Sequence, residues 1–148
     1  MKESTPMAQD TVHAHNVEVR WSDFDMYGHM MNANYIEIAQ EARLAFAKDH
    51  FYSQGVDLIA FVRHIEAEFL RPLVWDGRLS TIRVETSVVR LGTTSFTTRQ
   101  EIKDPQGNVA CVVNCTQVTI DKETQKPRPV SEEEKKIILE HADVQLES

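Results

Sequence analysis

The chain has 148 residues, 41% hydrophobic and 26% charged, the balance of a globular protein able to bury about two-thirds of its unfolded surface in one domain. A net charge of −7 argues against a general nucleic-acid binder, which carries a basic face, and no run approaches the ~20 apolar residues of a membrane-spanning helix. Residues 1–11 read as a flexible polar tail without the apolar core of a signal peptide, leaving 12–148 as a single domain.

Alternation begins at His15. His15, Val17, Val19 and Trp21 share one face and Asn16, Glu18 and Arg20 the other, which predicts a half-buried strand running to Trp21. An irregular turn carrying Asp23, Asp25 and His29 follows, and Asn32 or Asn34 can cap a helix that continues to about His50. On that helix Tyr35, Ile38, Ala39, Ala42, Ala45 and Phe46 fall within one arc, with Glu37, Glu41 and Lys48 opposite or to one flank. A stripe built largely of alanine lets a sheet approach closely. At 1.5 Å per residue the helix is about 27 Å long, so something must wrap it.

The remainder supplies the wrapper. Ile59 to Phe69 reads as a strand with Ile59, Phe61, Ile65, Ala67 and Phe69 on one face, ended by Pro72. Leu79 to Val89 alternates again, Leu91-Gly92 turns, and the threonine-rich stretch Thr93 to Lys103 is strand-like. Asp104-Pro105-Gln106-Gly107 is a strong turn signal. Asn108 to Ile120 is apolar on both faces, as a central strand would be. Ser131 with Glu134 forms a capping-box pattern opening a short helix to about His141. The order β-α-β-β-β-β-α predicts one α+β domain. Cys111 and Cys115 lie on one strand about 13 Å apart, too far for a disulfide, so two reduced thiols and a cytoplasmic location are expected.

The turn and helix together read Asp23-x-Asp25-x-x-Gly28-His29-x-x-Asn32-x-x-Tyr35, followed by Glu41-Ala42-Arg43. This resembles the 4-hydroxybenzoyl-CoA thioesterase-like family of hotdog-fold acyl-CoA thioesterases. The resemblance continues through Phe69-Leu70-Arg71-Pro72, Arg90-Leu91-Gly92-Thr93-Thr94-Ser95-Phe96, Val118-Thr119-Ile120-Asp121 and Pro127, covering roughly residues 15 to 130 in order. It implies a long central helix wrapped by a curved antiparallel sheet of about five strands. It also implies a homodimer joined edge to edge, often a dimer of dimers, with active sites at the subunit interface. The implied reaction is hydrolysis of an acyl-CoA thioester to free acid and CoA, with no metal or redox cofactor.

The resemblance assigns the catalytic carboxylate to Asp25, which either attacks the thioester carbonyl or activates a water. Without the resemblance, Asp23 or Asp25 in such a loop is more readily only a turn former. The polarising backbone N–H falls at Asn32 or Ala33, near the positive end of the helix. Relatives often carry an aromatic residue or histidine at the position of Asn32, so only its backbone role transfers. Gly28 is expected to take a positive φ, and His29 to orient Asp25 or a water. Tyr35 and Arg90 are placed with Gly28 and Ala33 in the substrate-binding set.

Arg63, Arg71, Arg90, Arg99 and Arg128 are candidates for the anionic phosphates of CoA. Family members often have Lys or Arg where this chain has Thr93 and Thr94. Glu41 is a rival carboxylate, because a related clade places its catalytic acid on the helix. His13 and His15 share a strand face but lack a supporting ligand cluster for a metal. Two other functions fit the fold. A hydratase or dehydratase would use an Asp and a downstream His with an Asn-Pro between them, which this chain lacks. A non-catalytic acyl-thioester binding module would not need the Asp25 carboxylate.

Overall fold

The computed structural model describes residues 12–142; the expected tail over residues 1–11 lies outside them. Strands β1 (His13–Glu18), β2 (Ala60–Phe69), β3 (Thr81–Leu91), β4 (Ser95–Lys103) and β5 (Val109–Thr119) form one antiparallel sheet in the order β1-β3-β4-β5-β2. Helix α1 (Asn32–His50) lies against β1, β3, β4 and β5, and helix α2 (Glu132–Glu140) follows the last strand. The α+β architecture is the one expected: a long helix against five antiparallel strands, with a short C-terminal helix.

Ala39 and Ala42 are fully buried at the centre of the α1 stripe, so the sheet does approach the helix closely there. One position departs from expectation. Arg43 is buried while Ala45 is only half-buried. Arg43 lies one turn after Ala39 and one before Phe46, which carries it onto the sheet side of the helix.

Strand β1 also ends earlier than predicted. The Arg20 N–H donates to Asp23 Oδ2 at 2.7 Å and the Asp23 N–H to Arg20 O at 2.9 Å, so the chain turns before Trp21 can pair. Val17 and Val19 are buried as expected, but Trp21 is left 74% exposed. The start of β3 moves from Leu79 to Thr81 for a similar reason, since Asp76 Oδ1 accepts the N–H groups of Arg78 and Leu79 and keeps them in a loop.

Strands β1 and β2 form the two edges. On β2 a register shift between Val62 and His64 interrupts the expected alternation, and Phe61, Val62, Ile65 and Phe69 remain exposed. The ten-residue strand β2 thus presents a free edge together with exposed apolar side chains. The core itself falls into two clusters. One centres on Tyr35, Ile38, Ala39, Val84 and Val113, and the other joins Phe46, Phe51, Phe96, Ile137 and Ile138 under α2.

Helix α2 begins with the predicted capping box. The Glu134 N–H donates to Ser131 Oγ at 3.1 Å, and the Ser131 N–H to Glu134 Oε1 at 2.9 Å. Cys111 and Cys115 are free and buried, and burial pushes the Cys111 thiol up to about 11.

At the end of α1, the rings of His13, His50 and His141 cluster beside Phe46, with His50 and His141 centroids 3.8 Å apart. Burial, and then the neighbouring His141 and His13, push the His50 imidazole down from 6.5 to about 4. The unfolded chain therefore takes up this proton first as pH falls, so stability present above pH 6.5 is lost progressively towards pH 4. Thermal melts should show Tm falling by several degrees between those values, and His50→Phe should flatten the slope. An unchanged slope in that variant would assign the acid sensitivity elsewhere.

Candidate active site

Between β1 and α1 the chain forms a small hairpin in which Phe24 pairs with Met30. The Asp25 N–H donates to His29 O at 2.8 Å and the Gly28 N–H to Asp25 O at 2.9 Å. Gly28 takes φ +79°, the left-handed conformation expected of it. The hairpin is laced to the segment after β2, because the Met30 N–H donates to Leu73 O at 2.9 Å and the Trp75 N–H to Gly28 O at 2.8 Å.

Asp25 lies exposed within this hairpin. Its Oδ1 accepts the N–H groups of Tyr27 at 2.9 Å and His29 at 3.0 Å. The aspartate is thus a turn former, but this role uses one oxygen. No hydrogen bond to Oδ2 is present among the described residues. A carboxylate oriented by its own loop with one oxygen free is equipped to attack a carbonyl or to accept a proton from water.

Asp23 has the opposite fate. Its Oδ1 accepts from Asn34 Nδ2 at 2.8 Å, its Oδ2 from the Arg20 N–H, and its backbone O from the Met31 N–H at 3.2 Å. Both side-chain oxygens are occupied, and Asp23 clamps the loop to the first turn of α1.

The predicted asparagine cap does not form. Met31 occupies the cap position with no side-chain hydrogen bond, Asn32 is the first helical residue, and Asn34 is engaged by Asp23. Helix α1 therefore starts without a side-chain acceptor on its first N–H groups, which leaves its positive end open to an anion. Asn32 and Ala33 are exposed there. His29 engages Asp25 through its backbone rather than its ring.

Tyr35 does not join this surface. It is buried, with its hydroxyl accepting the Leu73 N–H at 2.9 Å and its ring against Phe69, so within the chain it is a core residue. Arg90 is exposed on β3 beside a bulge, away from the hairpin in sequence and on a different element. Among the other candidate arginines, Arg128 is bidentate to Glu134 at 2.7 and 2.9 Å, Arg99 lies 3.2 Å from Glu101, and Arg71 lies 4.0 Å from Asp104. Arg128 is thereby removed from the phosphate candidates. Glu41 is exposed and 3.6 Å from His15, on the side of α1 facing β1. His13 instead bonds Asp49 at 2.8 Å, and no group of three or more His, Cys, Asp or Glu able to hold a metal occurs among the described residues.

Two cavities flank α1. One of about 280 Å³ lies between α1 and β1 and is lined by Glu18, Asp23, Asn34, Glu37 and Glu41. The other, of about 270 Å³, lies between the second half of α1 and strands β2, β4 and β5, with Arg43, Phe46, Leu58, Phe96 and Thr98 among its lining. Asp25 lines neither. The hairpin is instead rimmed by Trp21, Met26, Tyr27, Met31 and Val74, all exposed apolar side chains.

Sequence reasoning places Arg43 only in the Glu41-Ala42-Arg43 motif and not as a buried or site residue, because it traces the helical stripe through apolar side chains alone. The available signal was its spacing from Ala39 and Phe46. Burial pulls its guanidinium below the usual arginine range.

Comparison with known proteins is consistent in its direction. A family model described as the thioesterase-like superfamily matches residues 19–138. Protein YsmA of Bacillus subtilis is 29% identical over 124 residues, 83% of this chain and 82% of YsmA. Among solved structures, YbaW of Escherichia coli, described as a probable thioesterase, is 26% identical with a TM-score of 0.72, covering 87% of this chain and 98% of its own. A thioesterase of Thermus thermophilus, solved with coenzyme A and Zn, has a TM-score of 0.72 at 22% identity over 88% of this chain and 95% of its own.

Proposed function

This chain belongs to the thioesterase-like superfamily, and from that premise we propose that it hydrolyses acyl-CoA thioesters with Asp25 as the catalytic carboxylate. The observation that carries the proposal is the state of Asp25: one oxygen fixed by two backbone N–H groups, the other without a partner among the described residues, a few residues before an uncapped helix start. Coenzyme A as carrier is supported by the Thermus relative, whose structure contains it.

Two routes use this geometry. In one, Oδ2 adds to the thioester carbonyl, CoA leaves as thiolate, and water cleaves the resulting mixed anhydride. In the other, Oδ2 takes a proton from water, whose oxygen adds to the carbonyl. Both pass through a tetrahedral oxyanion, and the N–H groups of Asn32 and Ala33 are the donors we assign to it. The products of either route are the free acid and the CoA thiol. Carboxylate and backbone donors supply the required chemistry without a metal.

A single chain leaves the site open, since Asp25 lines neither cavity beside α1. We propose that β2 pairs with β2 of a second copy, covering Phe61, Val62 and Ile65 and closing the site between subunits. The apolar rim of the hairpin is the surface through which two such dimers would join, although the function requires only the dimer. Ile65→Lys places a charge on the β2 edge and should convert the protein to a monomer by size-exclusion chromatography with light scattering. An unchanged dimer in that variant places the interface on another surface.

The test of the function is release of free thiol from a panel of acetyl-, hexanoyl-, palmitoyl-, benzoyl- and phenylacetyl-CoA. Turnover of at least one member is expected. No turnover of any, by folded and dimeric protein, would count against CoA thioester hydrolysis.

A further inference from the structure

The cavity between α1 and the β2–β5–β4 part of the sheet has an unusual floor. Its lining is mixed: Phe46, Leu58 and Phe96, all buried, form an apolar side, and Gln40, Tyr52 and Gln117 add polar groups. At the inner end lies Arg43, 7% exposed, and its guanidinium has no carboxylate within ion-pair distance among the described residues. Its hydrogen-bond partner is the neutral Gln100, whose Oε1 accepts from Nη1 at 3.3 Å. Thr98, 1% exposed and also lining the cavity, has a hydroxyl without a partner. The Nε2 amide of the fully buried Gln100 is likewise unpartnered.

A buried cation is normally retained only with a counter-charge, because desolvation strongly penalises it when alone. The buried carboxylate of Glu134, held by Arg128, follows the same rule. Arg43 instead combines a fixed positive charge, several free donors and an adjoining void of about 270 Å³, near the low end of small-molecule pockets (~300–1,000 Å³). At the rim, Leu44 and Val62 are exposed, so the cavity opens beside the free edge of β2.

We propose that this cavity is an acyl subsite in which Arg43, with Thr98, receives an anionic end group, making ω-carboxyacyl thioesters the preferred substrate class. The inference rests on the thioesterase reading. The apolar side holds the methylene chain, and the guanidinium donates to the terminal carboxylate, displacing the need for a protein counter-ion. The mouth beside β2 lies at the proposed subunit interface, where the thioester end would meet a catalytic hairpin.

The test compares hexanoyl-CoA with adipoyl-CoA, which differ at the chain end by the carboxylate. Wild type should show the higher kcat/KM on adipoyl-CoA. Arg43→Gln should lose roughly 10–100-fold on adipoyl-CoA and little on hexanoyl-CoA, as expected for a charged hydrogen bond. Thr98→Val, which conserves shape, should weaken the same preference more mildly and serves if Arg43→Gln does not fold. Turnover with equal or reversed preference in wild type would overturn the subsite and leave the thioesterase reading standing. If neither thioester turns over, calorimetric titration with adipate and hexanoate decides the subsite independently. Tighter binding of adipate supports it, and no difference between the two acids overturns it.

Discussion

Asp25→Asn should lower kcat on the best acyl-CoA by about 10²–10⁴-fold while leaving fold and assembly intact. The separation of effects follows from the two oxygens. Asparagine keeps an Oδ1 that accepts from Tyr27 and His29, so the hairpin geometry survives. What it loses is the free oxygen with its negative charge, replaced by an amide that neither attacks a carbonyl nor takes a proton. Thiol release and thermal melting, measured side by side, check both halves. Wild-type turnover in this variant would refute the assignment of Asp25. The informative control is Glu41→Gln, because Glu41 is the rival carboxylate and is exposed beside His15. Glu41→Gln should be nearly silent, and a larger loss there than at Asp25 would move the chemistry onto the helix.

Glu134→Ala should destabilise the protein by about 3 kcal/mol, the largest stability effect expected of a single charge removal. Glu134 is 2% exposed and accepts from both Arg128 Nη groups and from the Ser131 N–H. Burial alone would raise its carboxyl, but the Arg128 and Ser131 hydrogen bonds outweigh burial and hold it below the ordinary value of 4.5. Its stabilising contribution is therefore present above that value and fades as pH falls further. Removing the carboxylate breaks the capping box and leaves the Arg128 guanidinium without its counter-ion. Urea denaturation at pH 7 and pH 4 should show a smaller difference from wild type at the lower pH. A variant as stable as wild type at pH 7 would mean that α2 is held by its apolar contacts alone. Those contacts include Ile137 and Ile138 against Phe46 and Phe96, which also wall the Arg43 cavity, so activity should soften with stability.

Much of the fold was legible because its signals are local. The extent of α1, the turn at Asp104–Gly107 and the Ser131–Glu134 box each depend on residues within a few positions of one another. The misplacements came where a side chain overrode the pattern. Asp23 captured the Arg20 N–H and ended β1 before Trp21, and Asp76 held Arg78 and Leu79 out of β3. Periodicity counts apolar residues, and it is blind to a carboxylate competing for backbone donors.

The candidate site divides along the same line. By itself the sequence determined the family, the turn with its Asp25 and Gly28, and the helix that follows, because these form one continuous segment whose spacing is set by covalent chain geometry; the Phe24–Met30 pairing that makes the turn a hairpin came from the structure. Only the tertiary structure decided that Asp23 is a clamp, that Asn34 serves it rather than capping α1, and that Tyr35 is core. It also decided that Arg43 faces a cavity formed by strands far from it in the chain. Those outcomes depend on which partners arrive from distant elements. Hydrogen bonds and desolvation are fixed by three-dimensional neighbours, and no spacing along one helix specifies what the sheet opposite will bring.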